Sequence, residues 1–186
     1  MPVVVTGMNT QKPRAVASLG DEPKSILLDT LYDDYSSYVA AIGLRLLGRD
    51  SEIDDLVQDV FLDAVRGLGQ LRDPEATRGW LATLTVRTAR RRLRRNRLRR
   101  FVVGGDEYDY SNLVDSSASP EERLLLTRCY EVLETLPANQ RLAWTLRHVE
   151  GESLTSVATR CECSLASAKR YVQRAQERLQ EVLGND

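Results

Sequence analysis

The clearest pattern along the chain is a run in which apolar side chains recur every three or four positions. Ile53, Leu56, Val57, Val60, Phe61, Ala64, Val65 and Leu68 share this spacing, which is that of one continuous buried helical stripe. Glu52, Asp54, Asp55, Gln58, Asp59 and Asp63 take the opposite side. An earlier helix is predicted from Ser25 to Leu47, with Leu31, Tyr35, Tyr38, Val39, Ile42 and Leu46 in register. Gly48-Arg49-Asp50 ends it, and Asp50 or Ser51 can cap the helix that follows. Gly67 and Gly69 loosen the end of the acidic helix, and Arg72-Asp73-Pro74-Glu75 makes a turn. Trp80, Leu81, Leu84 and Thr88 begin a third helix, with Trp80 as a core anchor.

From Phe101 to Ser119 the periodicity stops, and Gly104-Gly105, Asp106, Glu107, Asp109 and Asp115 read as an acidic linker. Ser119-Pro120-Glu121-Glu122 then opens a new domain, because Ser119 can cap, Pro120 suits the first helical position and Glu122 completes a capping box. Leu125, Cys129, Val132, Leu133 and Leu136 form the predicted stripe of that helix, and Pro137 stops it. Leu142, Ala143, Leu146 and Val149 make the next, closed by Gly151. Two last helices flank the short turn Arg160-Cys161-Glu162-Cys163. The first buries Leu154, Val157, Ala158 and Cys161; the second, capped by Ser164, buries Leu165, Ala168, Val172, Ala175, Leu179 and Val182. No strand pattern and no repeat competes.

The fold class is therefore all-α: two small helical domains joined by a flexible acidic linker, the C-terminal one a helix-turn-helix. The expected boundaries are a flexible tail over 1–24, a first domain over 25–100, the linker over 101–119 and a second domain over 120–186.

Charge changes the picture through its distribution. The total of 26 basic and 27 acidic side chains leaves a net charge of only −1. Yet nine arginines and no acid lie between Arg87 and Arg100, so the rest of the chain carries −10 once those nine are set aside from the −1 total. A polyanion-binding stripe is attached to an acidic body. No stretch reaches the roughly 20 apolar residues of a membrane span, and the N-terminus lacks the cationic flank of a secretory signal. A cytoplasmic protein without membrane insertion is expected. One histidine and no Gly-rich phosphate loop leave no catalytic site to assign, so no enzyme is expected. Three cysteines, Cys129, Cys161 and Cys163, are read as reduced thiols. Cys161-x-Cys163 with His148 offers only three zinc ligands, and Cys161 sits at a core position; neither metal nor cofactor is predicted.

The last helix carries the most specific chemistry. Ser164, Ala166, Ser167, Lys169, Arg170, Gln173 and Arg174 lie on its exposed side. Small side chains at its start permit close approach to a major groove. Lys169, Arg170 and Arg174 can reach phosphates or guanine edges, and Gln173 can pair with adenine. The bland reading is a solvated helix; the motif spacing and the basic face together favour DNA contact.

These residues resemble the extracytoplasmic-function branch of the sigma-70 transcription initiation factors, from about Leu28 to Leu183. The resemblance rests on Asp54-Asp55-Leu56-Val57-Gln58-Asp59-Val60-Phe61, on Gly79-Trp80-Leu81, on Leu136-Pro137-Ala138-Asn139-Gln140-Arg141, and on Glu150-Gly151-Glu152-Ser153-Leu154 before the helix-turn-helix. It implies that Asp54, Asp55, Gln58, Asp59 and Asp63 dock on core RNA polymerase, a role that an acidic face suits. It implies that the loop from Arg72 to Gly79 captures a flipped base of promoter DNA at the −10 element. Arg72, Arg78, Arg87, Arg90 and Arg91 would be the contact residues there. The helix from Ser164 would read the −35 element, Asp106 to Tyr110 would thread toward the polymerase channel, and a cognate anti-sigma factor is expected.

Departures from the family pattern mark a divergent subgroup. Glu162 stands where a glycine is common, at a position that tends to require positive φ and costs a non-glycine about 1 kcal/mol. Ser156-Val157-Ala158 replaces Glu-Ile-Ala, and Ser167-Ala168-Lys169 replaces Thr-Val-Lys. Two alternatives are a decoy that only sequesters an anti-sigma factor and a helix-turn-helix regulator that acts without polymerase. The first would be expected to lose both basic surfaces, and the second gives the N-terminal half no role.

Overall fold

The computed structural model describes residues 24–70, 73–103, 110 and 119–184. Among these there are seven α-helices and no strand: α1 (Lys24–Leu47), α2 (Ile53–Gly67), α3 (Thr77–Val103), α4 (Pro120–Thr135), α5 (Ala138–His148), α6 (Leu154–Arg160) and α7 (Leu165–Leu183). Short 3-10 turns at Leu68–Gln70 and Pro74–Ala76 lie between α2 and α3. The predicted tail and most of the linker lie outside the described residues.

Helices α1, α2 and α3 pack on one another, and α5 is held between α7, α6 and the first unit. The expected stripe of α2 buries Ile53, Leu56, Val57, Val60, Phe61 and Ala64, but Val65 is 41% exposed. Ala64 and Leu68 take the buried side of that turn, at 0% and 7% exposure, and Val65 falls at the edge of the stripe. In α4 the buried residues are Leu126, Tyr130, Val132 and Leu133, whereas Leu125 is 47% exposed. The run Leu124-Leu125-Leu126 permits three registers, and the buried Tyr130 selects the one that places Leu126 inside. Leu165 and Val182, at the two ends of α7, are exposed rather than buried, and Val172 is half-buried. Leu154 and Val149 are also only half-buried.

Helix ends follow the expected chemistry at three places. Ser119 accepts from the Glu122 amide at 3.2 Å while the Ser119 amide donates to the Glu122 carboxylate at 2.8 Å, the reciprocal capping box. Ser153 and Ser164 cap α6 and α7. The start of α2 differs: Glu52 holds the N-cap position without a side-chain cap hydrogen bond. Its carboxylate is drawn instead to Arg49 and Asn96, at 3.1 and 2.8 Å.

The two units do not stand apart. Buried residues of α1, α2 and α3 are continuous with Ala138, Leu142, Ala143, Leu146, Val157, Ala158, Cys161 and Ala168. Leu81, Ala82, Thr85, Val86, Thr88 and Ala89 on α3 are almost wholly enclosed because both units cover that helix. The Thr85 hydroxyl meets its burial by donating to the Leu81 carbonyl at 2.8 Å. Phe101 to Val103, assigned to the linker from sequence, continue α3. Tyr110, also in the linker stretch, is buried against Tyr130 with ring centroids 5.5 Å apart.

Gly48 marks the joint. Its φ of +68° ends α1, and a Cβ there would lie 2.6 Å from the Tyr130 ring and 2.9 Å from the Arg141 guanidinium. Gly48→Ala combines the backbone penalty with overlap against enclosed side chains. It is expected to lower stability by about 2 kcal/mol, read as a reduced urea midpoint; an unchanged midpoint would show that the two units do not close on each other here.

Candidate polymerase- and nucleic-acid-binding surfaces

The outer face of α2 presents Asp54, Asp55 and Gln58 to solvent. The two other residues of the predicted acidic set are only half-exposed. Asp59 accepts a hydrogen bond from Arg92, and Asp63 accepts from Arg91 at 3.0 Å and Arg66 at 3.3 Å. Tyr32, Leu62 and Val65 are 47%, 52% and 41% exposed. With Leu28 and Phe61 they line a shallow groove beside Asp54, Asp55 and Gln58. The face is thus apolar and acidic together. Leu62 was the available signal, an apolar residue outside the buried stripe.

The arginine stripe is not uniform. Arg87, Arg91, Arg94, Arg95 and Arg97 are exposed, and Arg90 is half-buried. Arg92 points inward, its side chain only 8% exposed, between Asp59 and Glu52. Adjacent residues of α3 therefore differ: Arg91 lies exposed, and Arg92 ties the helix to α2. Arg78 is exposed and lies over the Tyr38 ring at 4.5 Å. Arg72 lies outside the described residues. Trp80, half-buried against the core, has the anchoring role expected of it.

On α7 the whole predicted set lies on one side. Ser164, Ala166, Lys169, Arg170, Gln173 and Arg174 are exposed and Ser167 is half-buried. Ser164 accepts from the Ser167 amide at 3.2 Å, and its hydroxyl donates to the Ser167 hydroxyl at 3.0 Å. Gln173 donates to Glu177 at 2.9 Å. Among the described residues Lys169 and Arg174 make no ion pair. Ala168, Ala175 and Leu179 turn the opposite side of the helix into the core.

Glu162, in the turn before α7, has φ +50°. This is the position where a left-handed backbone was expected. Its carboxylate reaches across to the first unit and accepts from Arg87 and, at 3.5 Å, from Arg90. The Arg87 hydrogen bond holds the Glu162 carboxyl below the usual carboxylate range. Next to it, Arg160 donates to the Gly79 carbonyl at 2.8 Å. Sequence spacing gives no sign of these contacts, which join residues more than 70 positions apart. Cys161 is enclosed, and burial pushes its thiol up to about 11. Cys129 is pushed to the same value by the same cause. Both stay protonated near neutral pH, which disfavours thiolate chemistry. Among the described residues no three of His, Cys, Asp and Glu gather to hold a metal ion, and no helix is long and apolar enough to cross a membrane.

The arrangement defines a two-unit helical protein with a basic helix in the first unit and a helix-turn-helix in the second. Residues 31–99 match sigma-70 region 2, and residues 126–179 match sigma-70 region 4. The chain belongs to the sigma-70 family of transcription initiation factors, in its extracytoplasmic-function branch. It is similar to RNA polymerase sigma-H factor of Pseudomonas aeruginosa, 26% identical over 164 residues that cover 83% of this chain and 85% of that one. ECF RNA polymerase sigma-E factor of Escherichia coli K12 is 28% identical over 155 residues, 77% of this chain and 79% of that one. Among solved structures, the sigma factor RpoE of Bartonella quintana, determined in complex with the anti-sigma factor NepR, matches with a TM-score of 0.60 and 25% identity. That match covers 88% of this chain and 99% of the other.

The ion pairs separate two residues that sequence spacing treats alike. Asp55→Lys is expected to leave stability within about 0.5 kcal/mol, as for a surface change. Asp59→Lys, which sets a cation against the enclosed Arg92, is expected to lose about 1–2 kcal/mol. Equal urea midpoints for the two variants would contradict the Asp59–Arg92 assignment.

Proposed function

We propose that this sigma factor binds core RNA polymerase through the outer face of α2 and carries promoter DNA on two separate basic surfaces. One surface is on α3 and the other on the N-terminal half of α7. The observation that carries this reading is that each family region presents its own cationic helix, α3 in the first and α7 in the second, with the outer face of α2 acidic and apolar. Asp54, Asp55 and Gln58 are the free polar contacts to a basic partner surface, with Leu62, Val65 and Tyr32 supplying apolar area. Asp59 and Asp63 act at its edge, since their carboxylates already serve α3 arginines.

In the −10 assignment Arg87, Arg90 and Arg91 hold backbone phosphates, and Arg72 and Arg78 belong to the 72–79 segment, whose residues from Thr77 on form the first turn of α3. Backbone cations position the strand, while a captured base supplies sequence information. In the −35 assignment α7 enters the major groove with Ser164, Ala166 and Ser167 nearest the bases. Lys169, Arg170, Gln173 and Arg174 read edges or neutralise phosphates. The proposed domain limits are 25–100 and 120–186. The sigma factor works in the cytoplasm, has no catalytic role of its own, and is held in check by a cognate anti-sigma factor. The similar RpoE was determined with such a partner.

The test is reconstitution. The chain with core RNA polymerase is expected to start transcription from a restricted promoter set, mapped by sequencing the transcripts made on genomic DNA. A reconstituted enzyme with no promoter-specific transcript would defeat the proposal. Within that system, Asp54→Lys with Asp55→Lys is expected to weaken polymerase binding about tenfold or more; unchanged affinity would remove α2 as the docking face. Arg170→Ala is expected to cost about 1–3 kcal/mol at the −35 element and to leave −10 preference intact. Equal losses at both elements would displace α7 from its assigned role.

A further inference from the structure

Glu162 stands in the turn of the helix-turn-helix, yet its side chain lies on the first unit. Its carboxylate takes Arg87 and Arg90, both assigned above to promoter phosphates. Three features single it out. The backbone there has φ +50°, a conformation that glycine adopts without strain and glutamate does not. The neighbouring Arg160 reaches the Gly79 carbonyl in the first turn of α3, at the C-terminal limit of the segment assigned to base capture, so it touches that segment while Glu162 takes the cations. And the fit at Arg90 is incomplete: its contact to Glu162 is 3.5 Å, while its enclosed Nε and second Nη have no oxygen partner and the guanidinium lies beside the Cys161 thiol.

We infer that Glu162 is a built-in stand-in for a DNA phosphate, occupying the α3 cations when the two units are closed and yielding them to promoter DNA when the helix-turn-helix withdraws. A carboxylate offers guanidinium groups the same bidentate geometry as two phosphate oxygens. It is anchored to the same chain, so it competes at high effective concentration. The pair is half-exposed and therefore weak: Arg87 and Glu162 side chains are 48% and 43% exposed. Such a pair can be displaced by a strand that also releases counterions. Arg90 gains most from the exchange, since a phosphate can approach the nitrogens that Glu162 leaves unmet. The strained backbone at Glu162 is thus retained for what its side chain does across the interface, and a glycine would relieve the strain but leave the cations open.

The inference rests on the proposed role of Arg87 and Arg90 in DNA contact, and one set of measurements separates the two. The probe is a fluorescent single-stranded 25-nucleotide DNA of mixed sequence, titrated with the full chain at low salt and followed by anisotropy. Glu162→Gln is expected to tighten binding about 3- to 5-fold, the range of an exposed ion pair. Glu162→Gly is expected to tighten it equally and to raise the melting temperature. Glu181→Gln, which removes a charge far along α7, is expected to change affinity less than twofold. In an Arg87→Ala/Arg90→Ala background, which itself binds more weakly, Glu162→Gln is expected to gain nothing. If the arginine pair can be removed without weakening the probe, the DNA reading of α3 falls. If the pair matters but Glu162→Gln leaves affinity unchanged, or tightens it equally in both backgrounds, the stand-in falls alone.

Discussion

The closed form of this chain depends on how the C-terminal end of α1 is satisfied. A helix leaves its last four carbonyls without intrahelical donors. Here the Gly48 amide serves Leu44 at 2.7 Å, and the next three carbonyls are taken by side chains of the other unit. Tyr130 donates its hydroxyl to Arg45 at 2.7 Å, and Arg141 donates to Leu46 at 3.1 Å and Leu47 at 2.5 Å. Burial keeps the Tyr130 hydroxyl firmly protonated, as a donor must be. Gly48 is required because only a residue without Cβ both turns the chain at positive φ and lets Tyr130 and Arg141 come so near. The end of one domain's helix is therefore capped by the other domain.

From that joint a buried ionic network runs through the molecule. Arg141 and Arg49 both pair with Glu134, at 3.5 and 2.9 Å. Arg49 also pairs with Glu52, which lies 3.7 Å from Arg92, and Arg92 in turn holds Asp59 on α2. Enclosed charges of this kind stabilise little in themselves, but removing one partner leaves another uncompensated. They tie α4 and α5 to the connection between α1 and α2, and through it to α3. On the rim, Arg45 and Glu150 form a further bridge, with one contact at 3.0 Å. The same network explains why α3 carries arginines of two kinds. Arg92 is enclosed and structural, whereas Arg94, Arg95 and Arg97 are exposed.

Much of this was legible in the residue pattern, and the failures share a cause. Periodicity located the described helices because most bury one stripe, α3 being covered on more than one side, and the Ser119 and Ser164 caps were readable because capping is local. The polar face of α7 was legible for the same reason, although Leu165, Val172 and Val182 of its expected apolar side are not buried. Leu125 and Val65 were misplaced where several apolar residues adjoin and tertiary contacts choose among registers. Arg92 could not be told from Arg91 or Arg94, because its inward direction is set by Glu52 and Asp59 on another helix. Nor does the sequence announce that Glu162 meets Arg87. A position that departs from a family's glycine is a visible signal; its partner is not.

The near-zero net charge takes on a structural meaning in this light. An acidic body and a basic stripe could have stayed separate, leaving α3 as an open field for any polyanion. Instead Asp59, Asp63, Glu52 and Glu162 each reach an α3 arginine, so much of the balance is made locally. Three of these four acids sit on or beside α2, within the same unit, and remain in place whatever the second unit does. Glu162 alone comes from the second unit. Separating the units thus changes the field in the middle of α3, around Arg87 and Arg90, while the pairs of Arg91 and Arg92 persist. The boundary between permanent and conditional neutralisation falls within a single turn of helix, between Arg90 and Arg91, inside the set assigned to the −10 element.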